Sequence, residues 1–288
     1  MPDGWENSLS LLPPGLKEAA RAGESQWKEA EELRLRRGRE PTVLLGGRER
    51  VFCRGYKVGA EDLAQVMEKA SGASYHAVSR QLSQGFLCAA GGVRVGVCGT
   101  AGAAIDGMRD ISSLSLRIPR QIKTAGAPLT EELSAADRSV LILSPPGGGK
   151  TTFLRELIRL SSQRGRRVGL CDERGEVAAL FRGEPGFDLG CCTDVLSGVS
   201  KAQGVLMLLR SMNPEIIAVD EITAEEDLLA METVANCGVK LYATAHAAAL
   251  EDLRSRPLYR RMLAAGIFDT AVLIERRAGA RHYRRLEL

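Results

Sequence analysis

The chain has 288 residues, of which 44% are hydrophobic and 26% charged, values typical of a globular protein long enough for two domains. No apolar run reaches the roughly 18–20 residues of a membrane helix, and the N-terminal sequence lacks an export-signal pattern, so we expect a cytoplasmic protein. The net charge of +3 is too small to indicate a partner. Seven cysteines without a CxxC pair are expected to be free thiols.

The first half of the chain predicts a small α+β domain. A weak helical pattern over residues 17–30 precedes three short strand patterns, ELRLRRG, PTVLLGG and RERVFCRG, with Gly46-Gly47 as a hairpin turn. From Ala60, apolar residues recur at helical spacing, and a second helix is predicted near Tyr75–Leu82. Two apolar strands then flank Gly91-Gly92. We assign residues 1–125 to this domain.

Residues 119–139 interrupt the periodicity with proline, glycine and charged residues, and we place a domain boundary between 125 and 126. Beyond it, helical segments separate the apolar runs VLILS, VGLCDE, EIIAVDE, VKLYATAH and AVLIER. Continuous apolar strands alternating with helices indicate a mostly parallel sheet covered by helices on both faces. Residues 126–288 are therefore predicted to form an α/β domain.

The segment SVLILSPPGGGKTTFLRELIRL predicts a phosphate-binding loop between a buried strand and an amphipathic helix. Consecutive glycines let backbone N–H groups approach phosphate oxygens, and the helix dipole favours negative charge there. Lys150 would reach the β- and γ-phosphates, and the Thr151 hydroxyl would face Mg²⁺. Ser144 stands where the usual pattern has its first glycine. The predicted nucleotide-binding residues are Pro146, Gly147, Gly148, Gly149, Lys150, Thr151 and Thr152.

Two carboxylates, Asp220 and Glu221, follow the apolar run after Pro214-Glu215. Ligands bind at the carboxyl ends of parallel strands, so we expect both side chains in the nucleotide site. Asp220 would hold Mg²⁺ through water, and Glu221 would polarise the attacking water. A plain helix N-terminus is the alternative interpretation of this acidic pair.

Polar residues end two further strands. Asp172, Glu173 and Arg174 follow one apolar run, and His246, preceded by Thr244, ends another. Either group would lie at the ligand edge, where a neutral histidine or Thr244 could sense the γ-phosphate or orient water. A purely structural role for these residues stays open. The basic clusters, at Arg34–Arg39 and in the C-terminal tail, are interpreted as solvent-facing strand residues or as contacts for an anionic partner.

Together these motifs resemble the secretion-ATPase branch (type II/IV secretion) of the RecA-like P-loop proteins, and within it the stage III sporulation protein AA family. The resemblance rests on PPGGGKTT, CDERGE and ATAHA, and more specifically on SSLSLRIPRQI, MLLRSMNPEIIAVDEI and ETVANCGVKLYATAHA. It spans about Leu33 to Leu273. An Arg-Asp pair that classical secretion ATPases carry after the second acid is replaced here by Ile-Thr-Ala-Glu.

The resemblance implies a RecA-like core and a Mg²⁺-dependent ATPase in the mother-cell cytoplasm of endospore-forming bacteria. It further implies a homo-hexameric ring that powers or assembles a secretion-like channel with membrane-bound partner proteins of the sporulation complex. The implied catalytic residues are Lys150, Glu173, Glu221 and His246, with Asp172 as a further member of the acidic box. Arg117 and Arg120, in LRIPR, are the arginines expected to contact phosphates from the domain junction or a neighbouring subunit, with Arg210 as another candidate.

Two other functions stay open at this level. A nucleic-acid-linked ATPase would use the basic clusters, but the aromatic content of 5% disfavours base stacking, and nucleic acid is not expected as a partner. A nucleotide-gated scaffold would bind ATP with little turnover. No motif for guanine recognition is present, and ATP is the nucleotide that the resemblance implies.

Overall fold

The computed structural model of the chain describes residues 4–101, 108–277 and 280–288. Its contacts divide the chain into two compact units. The first unit holds the residues up to 120 together with 179–187, and the second holds 121–178 and 188–288. The chain therefore leaves the second unit for nine residues and returns to it, a path that the sequence pattern does not indicate.

The first unit contains short helices and an antiparallel sheet. In chain order its elements are α1 (Gly4–Leu11), α2 (Pro14–Ala22), α3 (Glu24–Trp27), β1 (Glu32–Arg36), β2 (Thr42–Leu45), β3 (Arg48–Val51), α4 (Ala60–Ser71), α5 (Tyr75–Ser83), β4 (Phe86–Cys88), a 3-10 turn (Ala90–Gly92), β5 (Arg94–Ala101) and β6 (Met108–Arg117).

These strands form one sheet in the order β3-β2-β1-β6-β5-β4, and every neighbouring pair is antiparallel. One face of the sheet is apolar, with Leu33, Leu35 and Leu116 fully buried in a core that also contains residues of α1 and α4. Gly46 and Gly47, both with positive φ, form the two-residue turn between β2 and β3, as predicted. The sequence alternation thus buries one face and leaves the other polar.

The second unit contains alternating strands and helices. Its elements are α6 (Leu129–Ala135), β7 (Val140–Ser144), α7 (Lys150–Gln163), β8 (Val168–Asp172), β9 (Thr193–Ser197), α8 (Lys201–Ser211), β10 (Ile216–Val219), α9 (Glu225–Asn236), β11 (Lys240–His246), α10 (Leu250–Ser255), α11 (Pro257–Ala264), β12 (Thr270–Arg277) and β13 (Ala280–Glu287).

The second sheet has the order β13-β12-β7-β11-β10-β8-β9 and is parallel except for the β12–β13 pair. Every residue of β7, β8 and β10 is buried, because helices cover both faces. Alternate residues enter two separate cores: Leu141 and Leu143 pack in one, and Val140 and Ile142 in the other. The predicted α/β class and mostly parallel sheet are confirmed.

Some predicted elements were wrong or missing. The single helix expected over residues 17–30 is divided into α2 and α3 at Gly23. Strands β6 and β9 were not predicted from the sequence pattern. Within the described residues, no helix combines the length and apolarity needed to cross a bilayer.

Candidate nucleotide site

The phosphate-binding loop runs from the buried end of β7 to the first residue of α7. Gly147 and Gly149 have φ values of 72° and 106°, which L side chains rarely adopt, so glycine is needed at both. A Cβ on Gly148 would overlap the hydroxyl of Ser144, which itself donates to the Pro145 carbonyl at 2.9 Å. The serine that replaces the usual first glycine therefore fits because Gly148 leaves room for it.

Lys150 begins α7 with its side chain buried. Its Nζ lies 2.9 Å from Nδ1 of His246 and 3.3 Å from the carbonyl oxygen of Ser144. Burial lowers the pKa of Lys150, and the nearby carboxylates of Asp220 and Glu221 oppose that shift. The ammonium is thus held at the loop by neutral acceptors and two nearby anions.

Asp220 follows β10 and accepts hydrogen bonds from one residue of α7 and one of β11. Its Oδ2 accepts a hydrogen bond from the Thr151 hydroxyl at 3.1 Å, and its Oδ1 accepts one from the buried Thr244 hydroxyl at 2.7 Å. Thr244 also accepts a hydrogen bond from the backbone N–H of Glu221 at 2.9 Å. One hydroxyl on β11 therefore fixes the carboxylate of Asp220 and the backbone of Glu221 together.

Glu221 has a positive φ of 41°, an uncommon conformation for a residue with a Cβ. Such backbone costs on the order of 1–3 kcal/mol and persists where surrounding contacts impose it. Here the Thr244 hydrogen bond and a side-chain contact to His246 impose it, with Oε1 of Glu221 3.1 Å from Nε2 of the ring. The strained turn directs the Glu221 carboxylate toward His246.

His246 connects Lys150 to Glu221 through its two ring nitrogens. A neutral imidazole with its proton on Nε2 satisfies both contacts, since Nδ1 then accepts from Lys150 and Nε2–H donates to Glu221. The arrangement is a continuous polar chain from the phosphate-binding loop to the second acid.

The side chains of Lys150, Glu221 and His246 line a cleft of about 350 Å³ beside the phosphate-binding loop. Its other lining residues are Pro146, Gly147, Gly149, Thr151, Thr152, Asp220, Glu176 and Arg281. Glu176 and Arg281 were not predicted as site residues. The acidic motif that contains Glu176 was a signal for the first, whereas Arg281 was assigned only to a basic tail cluster.

The donor set in the cleft suits Mg²⁺, which proteins usually bind through one or two carboxylates together with waters and substrate phosphates. Asp220 and the Thr151 hydroxyl are juxtaposed as such a site requires. In the described part of the chain, no three His, Cys, Asp or Glu side chains form a complete metal cage.

The two acidic residues at the end of β8, Asp172 and Glu173, have different roles in the structure. The carboxylate of Asp172 is buried and accepts hydrogen bonds from the backbone N–H groups of residues 176–178 at 2.8–3.2 Å. Burial raises the pKa of Asp172, although these hydrogen bonds oppose the shift. Glu173 instead pairs with Lys201 at 2.6 Å, in a small cavity that Asp220 and Glu221 also line.

Arg155, on α7, holds the same loop from the other side. It donates to the carbonyls of Val177 and Glu176 at 2.8 and 2.9 Å, and burial lowers its pKa to about 10 while Asp172 opposes the shift. The loop that carries Glu176 into the cleft is therefore fixed by a buried acid and a buried base.

Replacing Asp172 by alanine is expected to lower the free energy of unfolding by about 3 kcal/mol, because buried N–H groups lose their acceptor and Arg155 loses its anion. Urea unfolding followed by circular dichroism measures this, with the exposed Glu226→Ala as a control expected to change little. A loss below about 1 kcal/mol would show that the loop is held without Asp172.

Two predicted arginines lie in the first unit. Arg120 donates to Glu29 at 2.6 Å and to the carbonyls of Lys28 and Ala30, so its guanidinium is occupied locally. Arg117 contacts Glu32 at 3.2 Å and lines a trough of about 410 Å³ on the polar sheet face. Arg94, opposite Arg117 in the strand register, lines the same trough and was not predicted as a site residue.

Comparisons with known proteins agree with this architecture. Residues 5–284 match the family model described as sporulation stage III, protein AA. The stage III sporulation protein AA of Bacillus subtilis (strain 168) is 35% identical over 288 residues, covering 97% of this chain and 90% of that protein.

Two solved structures share the fold at low sequence identity. The Legionella pneumophila ATPase DotB superposes with a TM-score of 0.62 at 16% identity, over 95% of this chain and 80% of DotB. The pilus retraction motor PilT with bound ADP gives a TM-score of 0.66 at 16% identity, over 93% of this chain and 82% of PilT. The predicted RecA-like α/β fold is thereby confirmed.

Proposed function

Because the chain belongs to the sporulation stage III protein AA family, we propose that it is a Mg²⁺-dependent ATPase that powers or assembles a secretion-like membrane channel during endospore formation. The observation that carries the proposal is the convergence of Lys150, Thr151, Asp220, Glu221 and His246 on one cleft at the phosphate-binding loop. The likeness to DotB and PilT supports a fold that accommodates such a reaction.

Each residue has a defined task in ATP hydrolysis. The N–H groups of the loop and the Lys150 ammonium bind the phosphates. Thr151 and Asp220 are the residues that would hold Mg²⁺, which would neutralise phosphate charge. Glu221 accepts a proton from the attacking water, while His246 keeps the Glu221 carboxylate oriented.

The direct test is phosphate release from ATP by the purified protein with and without Mg²⁺, across a series of protein concentrations. Specific activity that rises steeply with concentration supports a homo-hexameric ring with sites shared between subunits. Nucleotide binding without turnover at every concentration would reject the hydrolase and favour the nucleotide-gated scaffold.

Of the two predicted arginines in the first unit, we assign Arg117 rather than Arg120 to the phosphates, because Arg117 lines an open trough with a single ion pair, to Glu32, whereas Arg120 is occupied by three local acceptors. Arg117→Ala is expected to lower ATP turnover by about tenfold or more with nucleotide binding retained, because an arginine that contacts the transferring phosphoryl group stabilises the transition state.

Arg120→Ala is the matched control for Arg117 and is expected to keep turnover within about threefold of the wild type. Steady-state phosphate release under saturating ATP measures both variants. Equal losses in the two variants would contradict the assignment.

The proposed place of action is the mother-cell cytoplasm, at a membrane complex reached through membrane-bound partner proteins of the sporulation channel. Fractionation without detergent, in cells with and without those partners, tests this. Partner-dependent recovery with the membrane fraction supports docking, and recovery in the soluble fraction in both cases would contradict it.

A further inference from the structure

The C-terminal strand β13 is fixed against the helix that follows the phosphate-binding loop. The ring of Tyr283 stacks on the buried ring of Phe153 in α7, with centroids 5.5 Å apart. Burial raises the pKa of Tyr283, which agrees with its packed position. Side chains alternate along a strand, so Arg281 lies on the same face of β13 as Tyr283.

Arg281 contacts the phosphate-binding loop directly. Its Nε donates to the carbonyl oxygen of Gly148 at 3.0 Å. A Cβ on Gly149 would come within 2.8 Å of the same nitrogen, so the guanidinium lies close against the loop. Glycine is therefore needed at position 149 for two reasons: its φ is positive, and the Arg281 guanidinium occupies the space that a side chain would need.

Most of the hydrogen-bonding capacity of Arg281 is left for a ligand. A guanidinium carries five N–H donors, and within the described residues only the Nε–H of Arg281 has an acceptor. Among those residues, Lys150 and Arg281 are the two basic side chains that line the cleft. The acidic side chains that line it are Glu176, Asp220 and Glu221. An anion bound at the loop would meet a second positive charge, which forms no ion pair with any residue that the structure describes.

The strand order defines which end of a nucleotide Arg281 would meet. Strand β7, which leads into the loop, lies between β12 and β11, with β13 beyond β12 and β10 beyond β11. Asp220 and Glu221 follow β10, so the metal and water side of the cleft lies on one side of the loop and Arg281 on the other. Since Lys150 and Thr151 serve the β- and γ-phosphates, Arg281 lies toward the nucleoside end.

We propose that Arg281 binds the α-phosphate of a nucleoside di- or triphosphate and so joins the C-terminal hairpin to the bound nucleotide. The inference rests on the proposed nucleotide-binding function and adds a binding residue from the last strand. ADP keeps its α-phosphate, so the contact survives hydrolysis, and Arg281 contributes equally to the affinity for substrate and product.

The test measures equilibrium binding of ADP and of a non-hydrolysable ATP analogue, each with Mg²⁺, to the wild-type chain and its variants. Arg281→Ala is expected to weaken both ligands by the same factor, about tenfold or more, because a charge-assisted hydrogen bond to phosphate is lost. Arg284→Ala is the matched control, since Arg284 is exposed on the opposite face of the same strand. It is expected to bind both ligands like the wild type.

Two conservative variants separate ligand binding from support of the loop. Arg281→Gln can still donate to the Gly148 carbonyl but carries no charge, and it is expected to bind as weakly as Arg281→Ala. Arg281→Lys restores the charge and is expected to recover part of the affinity. The difference between the wild type and Arg281→Gln should shrink as salt increases, because the lost interaction is ionic.

The possible failures are distinguishable. If Arg281→Ala binds both ligands like the wild type while Lys150→Ala does not, the inference about Arg281 is wrong and the nucleotide site stands. A loss for the ATP analogue but not for ADP would place Arg281 at the γ-phosphate and overturn the assignment. Wild-type affinity in Arg281→Gln would reduce Arg281 to a support of the loop. A wild-type chain that binds neither ligand would overturn both this inference and the proposed function.

Discussion

Glu221→Gln is expected to reduce the rate of ATP hydrolysis by about two to four orders of magnitude while nucleotide affinity stays within about threefold of the wild type. Glutamine has the shape of glutamate and can still accept the hydrogen bond from Nε2 of His246. It cannot take a proton from the attacking water. The loss should therefore appear in kcat and not in binding, which single-turnover phosphate release and ADP titration measure separately.

Glu225→Gln provides the control for Glu221. Glu225 lies four residues further along, begins α9 and pairs with Arg261 on the surface, so its variant is expected to hydrolyse ATP like the wild type. Turnover in Glu221→Gln within about threefold of the wild type would show that another group activates the water. Glu176 and Glu173, which line the cleft and the adjacent cavity, would then be the candidates.

The second unit could be predicted from the sequence because its alternation of apolar strands and amphipathic helices is a local pattern that repeats along the chain. Each central strand is buried on both faces, so β7, β8 and β10 appear as continuous apolar runs between amphipathic helices. The expectation that ligands bind at the carboxyl ends of such strands then places Asp220 and His246 near Lys150, and the structure brings these three together.

The elements that were missed have weak or non-local signals. Strand β6 alternates leucine with serine and arginine, and it pairs with β1 across a large separation in sequence, with Leu33 opposite Leu116. Strand β9 is half-buried along its whole length at the edge of the second sheet, so it lacks an apolar run. Residues 179–187 belong to the first unit through tertiary packing, which no local pattern encodes.

The contributions of Thr244, Arg155 and Arg281 show why a motif describes a site incompletely. Thr244 was expected only to sense the γ-phosphate or to orient water, yet its hydroxyl joins Asp220 to the backbone of Glu221. Arg155 lies within an ordinary amphipathic helix pattern, and its role appears only when the loop after β8 is seen folded against it. Arg281 reaches the loop because an antiparallel hairpin returns the chain to α7.

Lys150→Met is expected to weaken the binding of ATP and ADP by about a hundredfold or more and to abolish measurable turnover, because the ammonium is the central cation facing the phosphates. Methionine is chosen because it fills the buried space of the lysine stem without a charge. Isothermal titration with ADP measures the affinity. The exposed Lys123→Met, a charge loss of the same kind in the same unit, is expected to bind like the wild type.

The same variant gives an independent prediction about stability without nucleotide. Removing a buried ammonium relieves its desolvation but also deletes the contacts to His246 and Ser144, so we expect the free energy of unfolding to change by less than about 1.5 kcal/mol. The folded pKa of Lys150 is lowered below 10.5, so the unfolded state binds more protons in that window. The wild type should therefore gain stability relative to Lys150→Met as pH rises through the lowered pKa toward 10.5.

Saturating nucleotide should then produce a large difference in the free energy of unfolding between the wild type and Lys150→Met. At about 1,000 times its Kd, ADP stabilises the wild type by about 4 kcal/mol, whereas the variant, with a Kd about a hundredfold higher, should gain about 1.4 kcal/mol or less at the same concentration. Equal stabilisation of both would show that ADP binds without the lysine, and the phosphate-binding loop could not be the nucleotide site. The combination of near-equal stability without ligand and a large difference with ligand is the outcome that a binding role for Lys150 requires, because a purely structural lysine would change the first quantity and not the second.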